Sequence, residues 1–226
     1  MLFRSFTNVS IFDGTGSQPF PGEVKVENNR ITAVAKGAGQ QIARDGARVI
    51  DGHGMTLMPG MIESHSHLCF TSSEDRIERE WMPVPERHQF IATHNAKVLL
   101  DHGFTGAFSG GATRPAIEVA LRDEIKAGFV PGPRLIASSF ERNASGERLE
   151  FGPQIEEAKR FVQDMIDLGV DSMKMVLDGR GATVVDKWHI INYGDKELEV
   201  ISQMAHEAGV YLSCHSYQPE ALKLAV

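Results

Sequence analysis

Two histidines stand two residues apart in Met58-Pro59-Gly60-Met61-Ile62-Glu63-Ser64-His65-Ser66-His67, a turn that feeds directly into a short apolar strand. Side chains at i and i+2 share one face of a strand, and a rise of about 3.3 Å per residue sets the two Cα atoms about 6.5 Å apart. Ring nitrogens at that spacing can meet on one metal ion at roughly 2.0–2.1 Å. A bare His-x-His also arises by chance on half-buried strands, so its weight depends on what else the chain supplies. Lys174 is a second element. In Asp171-Ser172-Met173-Lys174-Met175-Val176-Leu177, strand parity turns Met173, Met175 and Leu177 to one face and Ser172, Lys174 and Val176 to the other. With the first face toward helices, the lysine points into the interior, where burial lowers the pKa of an amine and leaves it nucleophilic toward carbon dioxide. The plain alternative is a strand-end lysine whose ammonium reaches water. His215 closes the strand Tyr211-Leu212-Ser213-Cys214-His215, followed by Ser216 and Tyr217. Its plain alternative is a capping histidine at a strand-to-loop junction.

Such residues need a scaffold that gathers strand ends, and the pattern from residue 60 onward describes one. Apolar strands at Gly60–Leu68, Phe104–Ser109, Arg134–Ser138, Asp171–Leu177 and Val210–Ser216 alternate with helices near Glu86–His102, Ile117–Ala127, Gln154–Leu168 and Lys196–Ala208. In the helix from Gln154, the residues Ile155, Ala158, Phe161, Val162, Met165 and Ile166 recur at three and four and form one apolar stripe. Gly103, Gly128, Gly169 and Gly209 each follow a helix and precede a strand, where a left-handed C-cap needs glycine. This is the sequence sign of a parallel α/β sheet with helical crossovers. Residues 1–58 differ, with β-prone runs at Leu2–Phe12, Glu23–Glu27 and Arg30–Ala35 cut by turn residues, and Asn28-Asn29 as a hairpin turn. A small antiparallel β unit is expected there.

Pro-Gly before a strand ending in His-x-His, together with "IFDGTG", "PGMIESHSH" and "LRDEIKAGFVPGPRLIASS", resembles the amidohydrolase superfamily, in its imidazolonepropionase-like branch. The resemblance covers essentially the whole chain. It implies a (β/α)8 TIM-type barrel, with the first five strands present in residues 59–226, preceded by part of a small β-sandwich domain in residues 1–58. It further implies that His65 and His67 hold one divalent ion, that Lys174 bridges as a carbamate, and that His215 holds a second ion. Zinc suits imidazole, with one or two ions, and manganese, cobalt and iron share the ligand type. The family's remaining metal histidine and its catalytic aspartate would come from later strands. The chain reads as ending inside a helix at Ala221-Leu222-Lys223-Leu224-Ala225-Val226, so completion by a further segment or chain is expected, as is association through open edges that leave Ile62, Val176 and Leu212 unpartnered.

Three positions depart from the family pattern, the first at a supporting acid and the other two bearing on the activity. Glu63 stands where aspartate is common. Thr105-Gly106-Ala107-Phe108-Ser109-Gly110-Gly111 replaces a threonine, valine and Arg-Asp pattern, which lowers the Xaa-Pro dipeptidase and imidazolonepropionase readings and is closer to members that hydrolyse carbamates, thiocarbamates and phenylureas. Gln218 occupies the position of a deaminase's proton-shuttling glutamate, and an amide cannot shuttle a proton. The expected activity is hydrolysis of an amide, urea or carbamate C–N bond by metal-activated water, with Lys174 and His215 at the catalytic centre. The rival of another class is a non-catalytic binding or assembly subunit that keeps the fold.

Trp188, His189 and Tyr217 lie in segments after the fourth and fifth strands, where substrate-binding loops gather, and are expected to touch substrate. His88, His94, His102 and His206 on or beside helices, and His53 in a turn, read as solvated. Cys69 reads as packing rather than ligand, and neither Cys69 nor Cys214 is expected in a disulfide. A net charge of −7 and the absence of a basic cluster argue against nucleic acid or an anionic membrane as partner. No run of eighteen apolar residues occurs, and a cytoplasmic homo-oligomer acting on a small molecule is expected.

Overall fold

Turn residues punctuate the chain so densely before residue 60 that short strands form in place of helix. In the computed structural model, which describes residues 3–70, 83–143, 155–179 and 191–226, β1 (Phe3–Ile11), β2 (Phe20–Glu27), β3 (Arg30–Lys36), β4 (Arg48–Asp51) and β5 (Thr56–Leu57) make one sheet. β1, β2 and β3 pair antiparallel, and the β2–β3 turn closes at Asn28, whose φ of 55° suits asparagine better than bulkier residues. β4 and β5 instead run parallel to β1. Hairpin reasoning predicts only antiparallel neighbours; the long connection after β3 carries the chain back to start in the direction of β1. Val9, Ile11 and Val24 form the core of this unit, with Phe6, Phe20, Val26 and Leu57 against them.

Residues 61–226 form a second unit in which the strands among the described residues pair in parallel, with one isolated antiparallel bridge between Asp178 and Ile191. Its elements are β6 (Met61–Ser66), α1 (Pro85–Asp101), β7 (Phe104–Ser109), α2 (Pro115–Ala127), β8 (Arg134–Ile136), β9 (Ser138–Asn143), α3 (Ile155–Leu168), β10 (Ser172–Val176), α4 (Asp195–Glu207), β11 (Tyr211–His215) and α5 (Pro219–Lys223). The strands order as β6-β7-β8 and β11-β10-β9. β8 and β9 are two halves of one strand broken at Ala137, the first half pairing with β7 and the second with β10. The strand expected to stop at Ser138 therefore resumes and runs to Asn143, carrying Glu141. Its polar residues Glu141, Arg142 and Asn143 hid this half from a reading based on apolar runs.

Met173, Met175 and Leu177 pack with Ala158, Val162 and Met165 of α3 and Ile201 and Ala205 of α4, which turns Lys174 to the other face of β10. Gly128 ends α2 with φ 83°, and Gly103, Gly169 and Gly209 take the same left-handed conformation. The last helix begins at Pro219 and ends at Lys223, earlier than the apolar run suggested, because proline is preorganised for the first helical position. The open-edge expectation holds for Ile62, exposed to 73%, but Val176 is buried and Leu212 packs against the second core.

His88 departs from its expected solvated state. It is fully buried, its Nε2 lying against the Cys69 carbonyl and 3.0 Å from Thr113 Oγ1. The face of α1 that carries it meets the loop after β6 and the start of α2, a contact that weak periodicity does not announce. Cys69 is buried in the core with Leu68, Ala92, Ala96 and Ala107, and both cysteines are free. Among the described residues no helix is long and apolar enough to cross a membrane.

Candidate functional site

Parallel strands deliver their C-terminal ends to one side, and the candidate residues gather there. His65 is the penultimate residue of β6 and His67 follows its end; Lys174 lies at the middle of β10, and His215 ends β11 opposite Val176. The rings of His65 and His67 are 5.1 Å apart. His65 is held below the usual histidine range by burial first, then by the positive neighbours Lys174, His67 and His215, with Glu141 opposing them. That mutual influence brings residues from four strands, separated by up to 150 positions, into one electrostatic neighbourhood.

Each side chain is oriented by its surroundings. His67 Nδ1 lies 2.9 Å from the Gly111 carbonyl, so Nδ1 carries the proton and donates it, leaving Nε2 to face away. Phe70 stacks on the same ring at 4.3 Å. His65 lies across Gly110, where a Cβ would come within 2.2 Å of its Cδ2, and its backbone N–H donates to Glu63 Oε1 at 3.1 Å. Lys174 is 2% exposed, and burial pushes its pKa down against the opposing pull of Glu141 and Cys214. Among the described residues, His215 Nε2 is buried without a hydrogen-bond partner. Tyr217, half exposed, sets its ring edge-on to His215 at 4.5 Å. Trp188 and His189 lie outside the described residues.

Two acids missing from the sequence reading complete the surroundings. Asp178 is fully buried just after β10 and accepts hydrogen bonds from Tyr217 N–H at 2.8 Å, Gln218 N–H at 2.7 Å and Ser216 Oγ at 3.1 Å. It thereby fixes the three residues that follow His215. Glu141 on β9 brings Oε1 to 3.9 Å from His67 Nε2. Asp178 shares the strand parity of Lys174, but a charged residue just past a strand defaults to the surface, and nothing in the local pattern announced Glu141.

The donor set suits a divalent ion. His67 Nε2 is turned away from its partner carbonyl toward Glu141, His215 Nε2 is buried without a partner among the described residues, and the buried amine of Lys174 lies on a strand between theirs. No three His, Cys, Asp or Glu side chains among the described residues converge on one point, so the fit rests on donor type and orientation. A cavity of about 500 Å³ opens on the helix-facing side of β10 and β11, among Met175, Leu198, Ile201, Leu212 and Cys214, and contains none of the candidate ligands.

The amidohydrolase family model matches residues 56–225. A 5-methylthioadenosine/S-adenosylhomocysteine deaminase of Halalkalibacterium halodurans is 34% identical over 103 residues, which are 41% of this chain and 24% of that protein. Phenylurea hydrolase B superposes with a TM-score of 0.79 at 23% identity, covering 99% of this chain and 57% of that one. A Xaa-Pro dipeptidase with methionine in its active site gives 0.81 at 20% identity, covering 99% of this chain and 59% of that one. At these identities the structural likeness is one of α/β fold. The chain spans about a quarter of the deaminase's length and under three fifths of the two solved chains'.

Proposed function

The chain belongs to the amidohydrolase family, and from that premise we propose that it supplies the first five strands of a (β/α)8 barrel, behind a small β-sandwich, to a metal-dependent hydrolase of amide, urea or carbamate C–N bonds. The observation that carries the reading is the buried, unpartnered Nε2 of His215 on the same side of the parallel strands as the outward-turned Nε2 of His67. His65, His67, Lys174 and His215 would hold the ion or ions, with zinc the first candidate by ligand type. When bound, a divalent ion supplies a water of lowered pKa and a polarised substrate carbonyl.

The chain's own residues prepare for that chemistry. The Gly111 carbonyl fixes the tautomer of His67, and the Asp178 loop anchor fixes the backbone beside His215. Burial favours the neutral amine of Lys174, whose lone pair would add to carbon dioxide as the nitrogen gives up one proton, leaving a carbamate. Tyr217 stands beside His215 at the half-exposed rim, where a substrate would lie. Likeness to a deaminase over 103 residues supports a second reading, deamination of a purine-type substrate. It ranks below hydrolysis because Gln218 has no proton to relay.

Elemental analysis of the completed enzyme to which this chain would contribute its first five barrel strands, beside its His65→Ala and His215→Ala variants, with hydrolysis assays on a phenylurea, a carbamate and a Xaa-Pro dipeptide, tests the reading. The expected result is stoichiometric divalent metal in the parent, its loss in both variants, and turnover that falls with metal content. Lys174→Ala should lose activity and regain part of it with a short-chain carboxylic acid. Unchanged metal and turnover in both histidine variants would refute the assignment.

A further inference from the structure

Glu141 reaches the site through a defect in strand pairing. β9 and β10 pair Ser138 with Ser172, and unbroken register would then set Phe140 beside Lys174; an extra residue in β9 puts Glu141 there instead. Such a bulge re-aims a side chain, and here it moves the carboxylate onto the face of the sheet that carries Lys174. The bulge is held by Ser139 Oγ, which accepts the Lys174 backbone N–H at 3.0 Å.

Gly111 makes room for the result. Its φ of 133° lies outside the range of ordinary residues, and a Cβ there would come within 2.5 Å of Glu141 Cγ. The carbonyl of this same glycine binds His67 Nδ1, so one peptide both orients the ring and clears the path of the acid toward it. With Nδ1 engaged by the Gly111 carbonyl, His67 turns Nε2 toward Glu141 Oε1 at 3.9 Å. An imidazole nitrogen and a carboxylate oxygen thus face one gap, and both are ligand types for a divalent ion. Ligand atoms about 2.0–2.2 Å from a tetrahedral zinc stand roughly 3.3–3.6 Å from one another, so the two atoms would approach by about 0.3–0.6 Å on sharing an ion.

We propose that Glu141 is a direct ligand of the divalent ion held by His65 and His67, a carboxylate contributed by the resumed half of the third strand. The proposal rests on the metal-site reading above and adds a ligand that the sequence pattern does not contain. Its carboxylate would also balance part of the charge that an ion brings to a neighbourhood of three histidines and a lysine.

The test measures Zn²⁺ affinity by competition with a chromophoric chelator, together with the visible spectrum of the Co²⁺-substituted protein, for the parent, Glu141→Gln, Glu141→Asp and His65→Ala. Circular dichroism verifies that each is folded. The expected result is at least a tenfold weaker Zn²⁺ affinity and an altered Co²⁺ spectrum in Glu141→Gln, with Glu141→Asp intermediate, since even an outer-shell partner of a metal site is worth about 10–100-fold. Unchanged or tighter Zn²⁺ binding in Glu141→Gln, while His65→Ala loses the ion, overturns the ligand role and marks Glu141 as a counter-ion to the Lys174 ammonium. A parent protein that binds no stoichiometric Zn²⁺ overturns the metal-site reading and the proposal with it.

Discussion

Glu118, in the first turn of α2, is fully buried, and burial pushes its pKa from 4.5 up to about 7 against the opposing hydrogen bonds of Ser109, Ser138 and Cys69. Glu118→Gln keeps the shape and the acceptor for the Ser138 N–H while removing the titration. Below pH 4.5 the carboxyl is protonated in both folded and unfolded chains, so it contributes no pH dependence. Between there and about pH 7 the folded chain keeps a proton that the unfolded chain has lost, and stability falls as pH rises, by about 1.4 kcal/mol per unit. Over the interval 7 − 4.5 the loss totals about 3 kcal/mol, and above it the loss is constant. Urea unfolding followed by circular dichroism in steps from about pH 5 to about pH 8 measures this as a difference between variant and parent, in which the other titrating groups cancel. The variant should be close to the parent at the acid end and gain up to about 3 kcal/mol on it at the alkaline end. Parallel stability curves would refute the reasoning, because they would mean that Glu118 ionises equally easily in both states.

Asp178→Ala removes the acceptor for Ser216 Oγ and for the amides of Tyr217 and Gln218. It should cost on the order of 3 kcal/mol, with faster hydrogen exchange at those two amides than elsewhere in the unit as the measured sign. His88→Ala should lower stability by about 2–4 kcal/mol through a cavity and the unpaired Cys69 carbonyl, yet leave metal content unchanged in elemental analysis, which separates this buried histidine from the candidate ligands. Gly111→Ala should destabilise by about 1–3 kcal/mol, since φ 133° and the approach to Glu141 both oppose a Cβ; a melting temperature equal to the parent's would show that neither constraint is real.

The elements that could be read from the sequence are those whose residues report their own surroundings. β7 occupies the predicted Phe104–Ser109, and α3 buries the Ala158, Val162 and Met165 stripe, because apolar periodicity directly encodes which face leaves water. Lys174 could be assigned to the interior for the same reason, through the methionines on either side of it. Glu118, Asp178 and His88 were not legible. A charged or polar type defaults to the surface, and each of these is buried only because a distant backbone group meets it: Ser138 N for Glu118, Tyr217 N for Asp178 and the Cys69 carbonyl for His88. Those partners are 20, 39 and 19 positions away in the chain, beyond the reach of any local pattern.

The break in the third strand shows why these hidden acids bear on the site. At Ala137 the ladder changes partner from β7 to β10, and backbone groups there would lose hydrogen bonds without replacement. Asp171 Oδ2 takes the Ala137 N–H at 2.8 Å, and Glu118 Oε2 takes the Ser138 N–H at 3.2 Å, so two side-chain carboxylates stand in for the missing strand on either side of the break. The Ala137 carbonyl is met in turn by the amides of Asp171 and Ser172, while Arg122 holds Asp171 at 2.9 Å. Because the break is satisfied from outside the ladder, β9 can restart in a shifted register, and the shift is what sets Glu141 beside Lys174. Ionisation of Glu118 therefore acts at the hinge of the strand that carries Glu141, some three residues away, rather than at the candidate ligands themselves. His65, His67 and His215 are instead oriented by Gly110, Gly111 and Asp178, contacts that do not pass through Ser138.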